Sequence, residues 1–379
     1  MSHRRALLWA TLATLLVLAA QALVVQVSYG GNWTGLFCIG ELQKRPAIVS
    51  QENAFLFRNA YGYDGQWYHL MAHDPAIVEG TPQYLDAARL RYRRILVPAL
   101  AWAAALSQDV AIDEAYIGWI AASVFCGVYL LSLLAQGSGL PAMAGLAFLA
   151  IPATPISADR LVTDSVLTAL TAAFLWLSAS PPGIAIWLVC VAAALCRETG
   201  ILLLFGYLVY LAGHGHWRRA GMMTTAAIPV AGWFAYVQGR TPAYDYGPLL
   251  APAQGLVRAL LQPFPYAESV RFRPVIHVFD WVALAGIILA FVLVARWIRW
   301  PLGSAGEAAA VLFLLMGLFL QREDHWQQVY DYGRVYSPML AVLVVEGFRR
   351  RSWLLVAPLA LMLPRLAIQL SVHVLAAVK

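Results

Sequence analysis

Apolar runs of about the length needed to cross hydrocarbon recur along this chain, separated by short polar junctions. They fall at roughly 6–28, 94–107, 115–135, 140–157, 161–178, 183–196, 199–213, 220–238, 278–298, 304–320, 335–348 and 353–372. A membrane helix needs about 20 mostly apolar residues. Within hydrocarbon each backbone polar group must be bonded inside its own segment, which selects the helix. The pattern predicts an all-α, polytopic transmembrane protein of about 11–12 membrane helices, in one integral-membrane domain over 1–379. Two long polar connections interrupt it, 29–93 and 239–277. The second is rich in proline, and its GLVRALLQPF stretch, Gly255 to Phe264, fits a short amphipathic helix lying flat at an interface.

Composition strengthens this reading. Hydrophobic residues make up 61% of the 379, and charged residues only 12%, about half the share of a soluble domain. The net charge of +6 sits in arginine clusters beside apolar runs. That placement fits topology signals and phosphate contacts, not nucleic-acid binding. Of the four cysteines, Cys126, Cys190 and Cys196 lie in or beside apolar runs and Cys38 stands alone in a loop, so no disulfide framework is implied. The first run follows His3-Arg4-Arg5 and is too long for a signal-peptide core, so it is expected to stay as helix one.

Positive residues favour the cytoplasmic side. Placing Arg4, Arg5, Arg218, Arg219, Arg296, Arg299 and Arg349 to Arg351 there puts the N-terminus inside and both long connections outside. The scheme closes if 94–107, which contains Pro98, enters without crossing, leaving eleven crossings. Of 20 acidic residues, only Glu307 and Glu346 then face the cytoplasm. The expected setting is a plasma (inner) membrane, with the polar chemistry on the outer face.

That chemistry is concentrated between Tyr61 and Pro98. In YDGQWY, Gly65 permits a tight turn after Asp64, and the flanking aromatics can wedge the loop into a headgroup layer. Asp64 is then either a carboxylate positioned to take a proton from an alcohol or a turn and helix-capping residue. RLRYRR carries Arg89, Arg91, Arg93 and Arg94, a set suited to phosphate or pyrophosphate oxygens. The alternative is attraction to anionic lipid. ADRLVTDS adds Asp159, Arg160 and Asp164 at the start of a span, and CRETG adds Arg197 and Glu198 between two short spans. Charges at a membrane edge are costly and point to function, although CRETG also reads as a hairpin turn. In the loop from Gln321 to Tyr336, Arg334 is the best candidate phosphate contact. Asp324 and His325 fit a solvated loop better than a metal site, and Asp245 is a weaker catalytic candidate. No Walker loop, dinucleotide fingerprint or GxSxG elbow is present, so no nucleotide cofactor is implied. No metal ligands are assigned, and a divalent metal is left open.

With those residues in view, YGYDGQWYHLMAHDP followed by LDAARLRYRRILVPALAW resembles the first outer loop of bacterial GT-C superfamily glycosyltransferases. The likeness is to the branch related to the glycosylphosphatidylinositol mannosyltransferases. It is sharp over about forty residues and architectural elsewhere, and a tight Asp-x-Asp pair found in some relatives is missing. The resemblance implies a polytopic helical fold with an active site on the non-cytoplasmic side. It implies a polyprenyl-phosphate sugar as donor and Asp64 as the catalytic acidic residue. A glycan or lipid-linked acceptor completes the expected reaction. The competing expectations are a transporter or flippase of lipid-linked glycans, and a non-catalytic glycan-assembly subunit.

Overall fold

The computed structural model describes residues 2–180, 183–244, 251–262, 264–266, 272–319 and 324–377. Asp245 and residues 321–323 lie outside the described residues. The rest is almost wholly helical, with only two two-residue strands among the described residues.

The first outer connection folds before the bundle continues. After α1 (His3–Ser28), short helices α2 (Ala47–Gln51), α3 (Gly65–His73) and α4 (Ala88–Tyr92) form a polar cap on the helices that follow. None of the three carries the long apolar stripe that makes a helix visible in sequence. α5 (Leu96–Ala104) has nine residues. At 1.5 Å per residue it is about 14 Å long, under half the hydrocarbon thickness.

α6 (Asp109–Gly137) is the longest helix and packs along α1. The run at 140–157 does not form one rod. α7 (Ala147–Ala150) and α8 (Ala153–Arg160) are separated at Ile151–Pro152, and the two halves of the segment are bent by 60°. Pro152 supplies no N–H and pushes the residue before it out of helical geometry, and Ile151 is extended. α8 then ends on Leu161 in the left-handed region. α9 (Asp164–Leu177), α10 (Ile184–Cys196) and α11 (Ile201–Gly213) continue the bundle, with Arg197 and Glu198 at the junction of the last two. α11 lies so close to a later helix that a Cβ on Gly206 would meet the backbone of Ala309.

α12 (Trp217–Thr224) and α13 (Ala227–Arg240) form the next run, followed by α14 (Gln254–Leu261) inside the second connection. The closing set is α15 (Arg273–Ala295), α16 (Ala305–Leu318), α17 (Asp324–Gln327), α18 (Val329–Val335), α19 (Ser337–Arg350) and α20 (Ala357–Ala377). In α19 all twelve residues from Ser337 to Phe348 are buried, so protein surrounds it on every side. By length and composition, α1, α6, the α12–α13 run and α15 are long and apolar enough to cross a membrane, and the bent segment makes a possible fifth.

Candidate functional site

The YGYDGQWY knuckle is built by backbone contacts to the segment before it. Ile39 and Gly40 pair with Leu56 and Phe57, and Ile39 also bridges to Gly62. The Tyr63 N–H donates to the Cys38 carbonyl at 3.0 Å. Gln66 locks both sides of the turn. Its Oε1 accepts from the Gly40 N–H at 3.1 Å, and its Nε2 donates to the Tyr61 carbonyl at 2.8 Å. A Cβ on Gly65 would run into the carbonyl oxygens of Arg160 and Phe37, so no larger residue follows Asp64 without moving the knuckle.

Asp64 occupies the N-cap position of α3, yet its side chain makes no capping hydrogen bond. The capping alternative is therefore not what the carboxylate does. It pairs instead with Arg91 at 2.9 Å and Arg334 at 2.6 Å. Nor do the aromatics form an outward wedge. Trp67 and Tyr68 are buried, and Tyr63 packs beneath the Arg334 guanidinium at 5.2 Å, while Tyr61 alone of the four is exposed.

Around Asp64, residues far apart in sequence converge. Arg94 makes a bidentate pair with Glu198, both distances 2.7 Å, and donates to the Tyr68 hydroxyl at 3.2 Å. Arg197 pairs with Asp164, which also faces Arg334 at 3.9 Å. Arg91 is further held by Asp86 through two hydrogen bonds of 3.0 and 2.9 Å. Four buried guanidiniums thus meet the carboxylates of Asp64, Asp164 and Glu198 in one cradle. Their donors are not all used. Arg334 Nε and Nη1 and Arg197 Nε are buried without a hydrogen-bond acceptor. Buried donors are nearly always paired, and leaving one unpaired costs about 1–3 kcal/mol.

Electrostatics follow from this arrangement. Burial alone would push the Asp64 carboxyl upward, but Arg334 and then Arg91 outweigh it and hold it well below the ordinary carboxylate range. Asp64 is ionised at any physiological pH.

Asp159 and Arg160 form an adjoining pair at 2.8 Å, with Tyr330 donating to Asp159 at 3.1 Å. Arg160 lies 5.9 Å over the Tyr63 ring whose centroid Arg334 also approaches, so Tyr63 separates this pair from the cradle.

Arg89 and Arg93 do not join the site. Arg89 donates to the carbonyls of Gln238 and Thr241 at the end of α13, and Arg93 stacks over Phe234 at 5.1 Å. Helical spacing explains the division. Positions 89 and 93 share one face of α4 and its continuation, and 91 and 94 share the other. Of the four arginines grouped together in the sequence, the structure brings only Arg91 and Arg94 into the cradle.

Sequence reasoning missed Tyr63 and Tyr68 as part of the site, and Asp86 as the partner of Arg91. It also missed a second buried cluster at the far end of α3, where His69 and His73 face Glu52 and Asp113. The His-x-x-x-His spacing puts both imidazoles on one helical face and was the available signal. No protein-family model, curated protein or solved structure matches this chain.

Proposed function

We propose that the chain is an integral-membrane glycosyltransferase of the inner (plasma) membrane, multi-pass with a cytoplasmic N-terminus. It transfers a sugar from a polyprenyl-phosphate donor to a glycan or lipid-linked acceptor on the non-cytoplasmic side. The observation that carries this reading is Arg334, whose buried Nε and Nη1 lack acceptors beside the Asp64 carboxylate. Phosphate oxygens arriving there satisfy those donors and share Arg334 and Arg91 with Asp64. The two guanidiniums are what hold the Asp64 carboxyl down. Sharing them with phosphate raises its basicity at the moment the donor is bound.

The remaining steps follow from that exchange. Asp64 takes the proton of the acceptor hydroxyl, the oxygen attacks the anomeric carbon, and the bond to the lipid phosphate breaks. Arg334, Arg91 and Arg197 stabilise the negative charge that grows on the leaving phosphate. A single displacement inverts the anomeric carbon. Arg94 and Glu198, already paired with each other, set the wall of the cradle, and Asp164 orients Arg197.

A flippase would use the same guanidiniums without a base. Transporters of that kind place broken helices at matching positions in two repeats. The described residues contain one such bent pair. The deciding experiment incubates purified protein with a panel of radiolabelled polyprenyl-phosphate sugars. Transfer to an acceptor, or slow hydrolysis, is expected. Flux across proteoliposomes with no cleavage of any donor in the panel would replace this reading with the flippase. For topology, a cysteine at Gly137 is expected to be shielded from an impermeant outside reagent and one at Gly239 labelled. Labelling at Gly137 would mean that the segment at 94–107 crosses.

A further inference from the structure

At the opposite end of α3 from Asp64, four side chains from three segments point at one spot. Glu52 follows α2, His69 and His73 lie on α3, and Asp113 lies on the first turns of α6. His69 Nε2 is 3.1 Å from Glu52 Oε2 and 3.2 Å from Asp113 Oδ1. His73 Nε2 is 3.1 Å from Glu52 Oε1 and 3.9 Å from Asp113 Oδ1. Both imidazoles are buried, and the two carboxylates are 19% and 18% exposed, which leaves a narrow path to solvent.

Ion pairing at 3.1–3.2 Å accounts for part of this packing but does not satisfy every atom in it. Glu52 Oε1 and Oε2, His69 Nε2, His73 Nε2 and Asp113 Oδ1 are all buried, and none has a hydrogen-bond partner of acceptable geometry. One imidazole nitrogen carries at most one hydrogen and cannot serve two carboxylates at once. Atoms that lie this close without bonding one another are aimed at a shared point between them.

We propose that this point binds a divalent transition-metal ion of the zinc class, held by Glu52, His69 and His73, with the Asp113 carboxylate beside it. Zinc binds nitrogen and oxygen ligands at about 2.0–2.2 Å in a tetrahedron, which places ligand atoms about 3.3–3.6 Å apart. Each imidazole Nε2 lies 3.1 Å from a Glu52 oxygen, just below that range, and the ligand atoms of Glu52, His69 and His73 all lie within 4.8 Å of one another. Charge also balances. Two carboxylates and two neutral imidazoles around a dication leave no net charge in a buried place. The outer shell is present too. His73 Nδ1 meets Asp109 Oδ1 at 3.1 Å, the carboxylate–histidine–metal arrangement that fixes the tautomer of a ligating imidazole.

Three protein ligands leave a fourth position for water, next to the Asp113 carboxylate. The ion ties the segment after α2 to α3, five residues from the carboxylate in the arginine cradle. The inference is independent of the glycosyltransferase reading, since it is tested without turnover.

The test uses the full chain, purified in detergent with a non-histidine tag and no chelator. Metal content is measured by mass spectrometry, before and after removal of metal and addition of zinc chloride alone. About one equivalent per chain is expected, with a thermal midpoint that falls on chelation and returns with zinc. Cobalt(II) chloride added to the stripped protein is expected to give the strong visible absorption of tetrahedral nitrogen–oxygen coordination. Asp109→Asn, at a mostly exposed position, should fold normally and weaken zinc binding by about tenfold. Glu52→Gln should abolish stoichiometric binding. Wild-type protein that holds no stoichiometric metal, and takes up none from added zinc or cobalt, overturns the proposal. So does unchanged zinc affinity in both variants.

Discussion

The two ends of α19 both set arginines against carboxylates, with opposite exposure of the guanidiniums. At the end nearest Arg334, the guanidiniums themselves are buried, with Arg91, Arg94, Arg197 and Arg334 side chains 10%, 6%, 4% and 9% exposed. At the other end, Glu307 and Glu346 are buried, but Arg349, Arg350 and Arg299 are 34%, 40% and 61% exposed. There Arg350 bonds both Glu307 and Glu346, Arg349 bonds Glu346, and Arg299 faces Glu307. Water solvates whatever the carboxylates leave unused. Such arginines bury part of their stems and keep their charged ends in water. The buried set has no such relief. Arg334 keeps two buried N–H groups beside Asp64 with no protein acceptor. Arginine count is similar at the two ends, and burial of the guanidiniums is what separates them.

The most severe break in that comparison is Asp64→Asn. A positioned base contributes about 10²–10⁴-fold in rate, and turnover per folded molecule should fall by that much. Asparagine can still close the turn that aspartate can. The carboxylate carries two ion pairs, however, so the substitution also destabilises by about 3–5 kcal/mol. Affinity for a polyprenyl phosphate should rise, by roughly tenfold, because the competing carboxylate is gone. Loss of turnover together with loss of affinity would contradict the exchange of Arg334 between Asp64 and phosphate.

Arg334→Ala and Arg350→Ala compare the two ends directly. The first should weaken donor binding by about 1.5–3 kcal/mol, or roughly 10–150-fold, measured by titration. The second should leave donor binding unchanged and lower the thermal midpoint. Equal effects on binding would erase the distinction drawn from burial.

Arg93→Ala sharpens the same point within one short stretch. It loses a stacking contact with Phe234 and should leave donor affinity within about twofold of wild type.

The smallest effect is on acid stability. The folded-state pKa of Asp64 is depressed, so its stabilisation is present at neutral pH. It is lost as pH falls below the ordinary aspartate value of about 3.9 toward the folded one. Melting temperature measured down this range should fall less steeply in Asp64→Asn than in wild type.

Much of the helical framework was legible because a sustained apolar run has few other uses. The break at Pro152 was passed over inside the 140–157 run, although proline punctuates helices locally and was the available signal. The cap made of α2, α3 and α4 was not legible, because these helices are five to nine residues long and are held by contacts to distant segments. The site was visible as a set of residue types but not as a set of partners. Arg91 and Arg89 are identical in sequence terms, and only the face of α4 turned toward Asp64 tells them apart. The His69–Glu52 contact joins two stretches whose spacing carries no periodic signal.

The arrangement of the cradle also orders events during synthesis. Arg91 follows Asp64 by 27 residues and Arg334 follows it by 270. At about 5–20 residues per second, Arg334 leaves the ribosome roughly 15–55 s after Asp64 does. For that interval the aspartate has Arg91 as its available partner, and Asp86, made in between, already engages the same guanidinium. The nascent chain therefore carries a half-built cradle through most of its own translation. The residue with the two unused donors is the last to arrive.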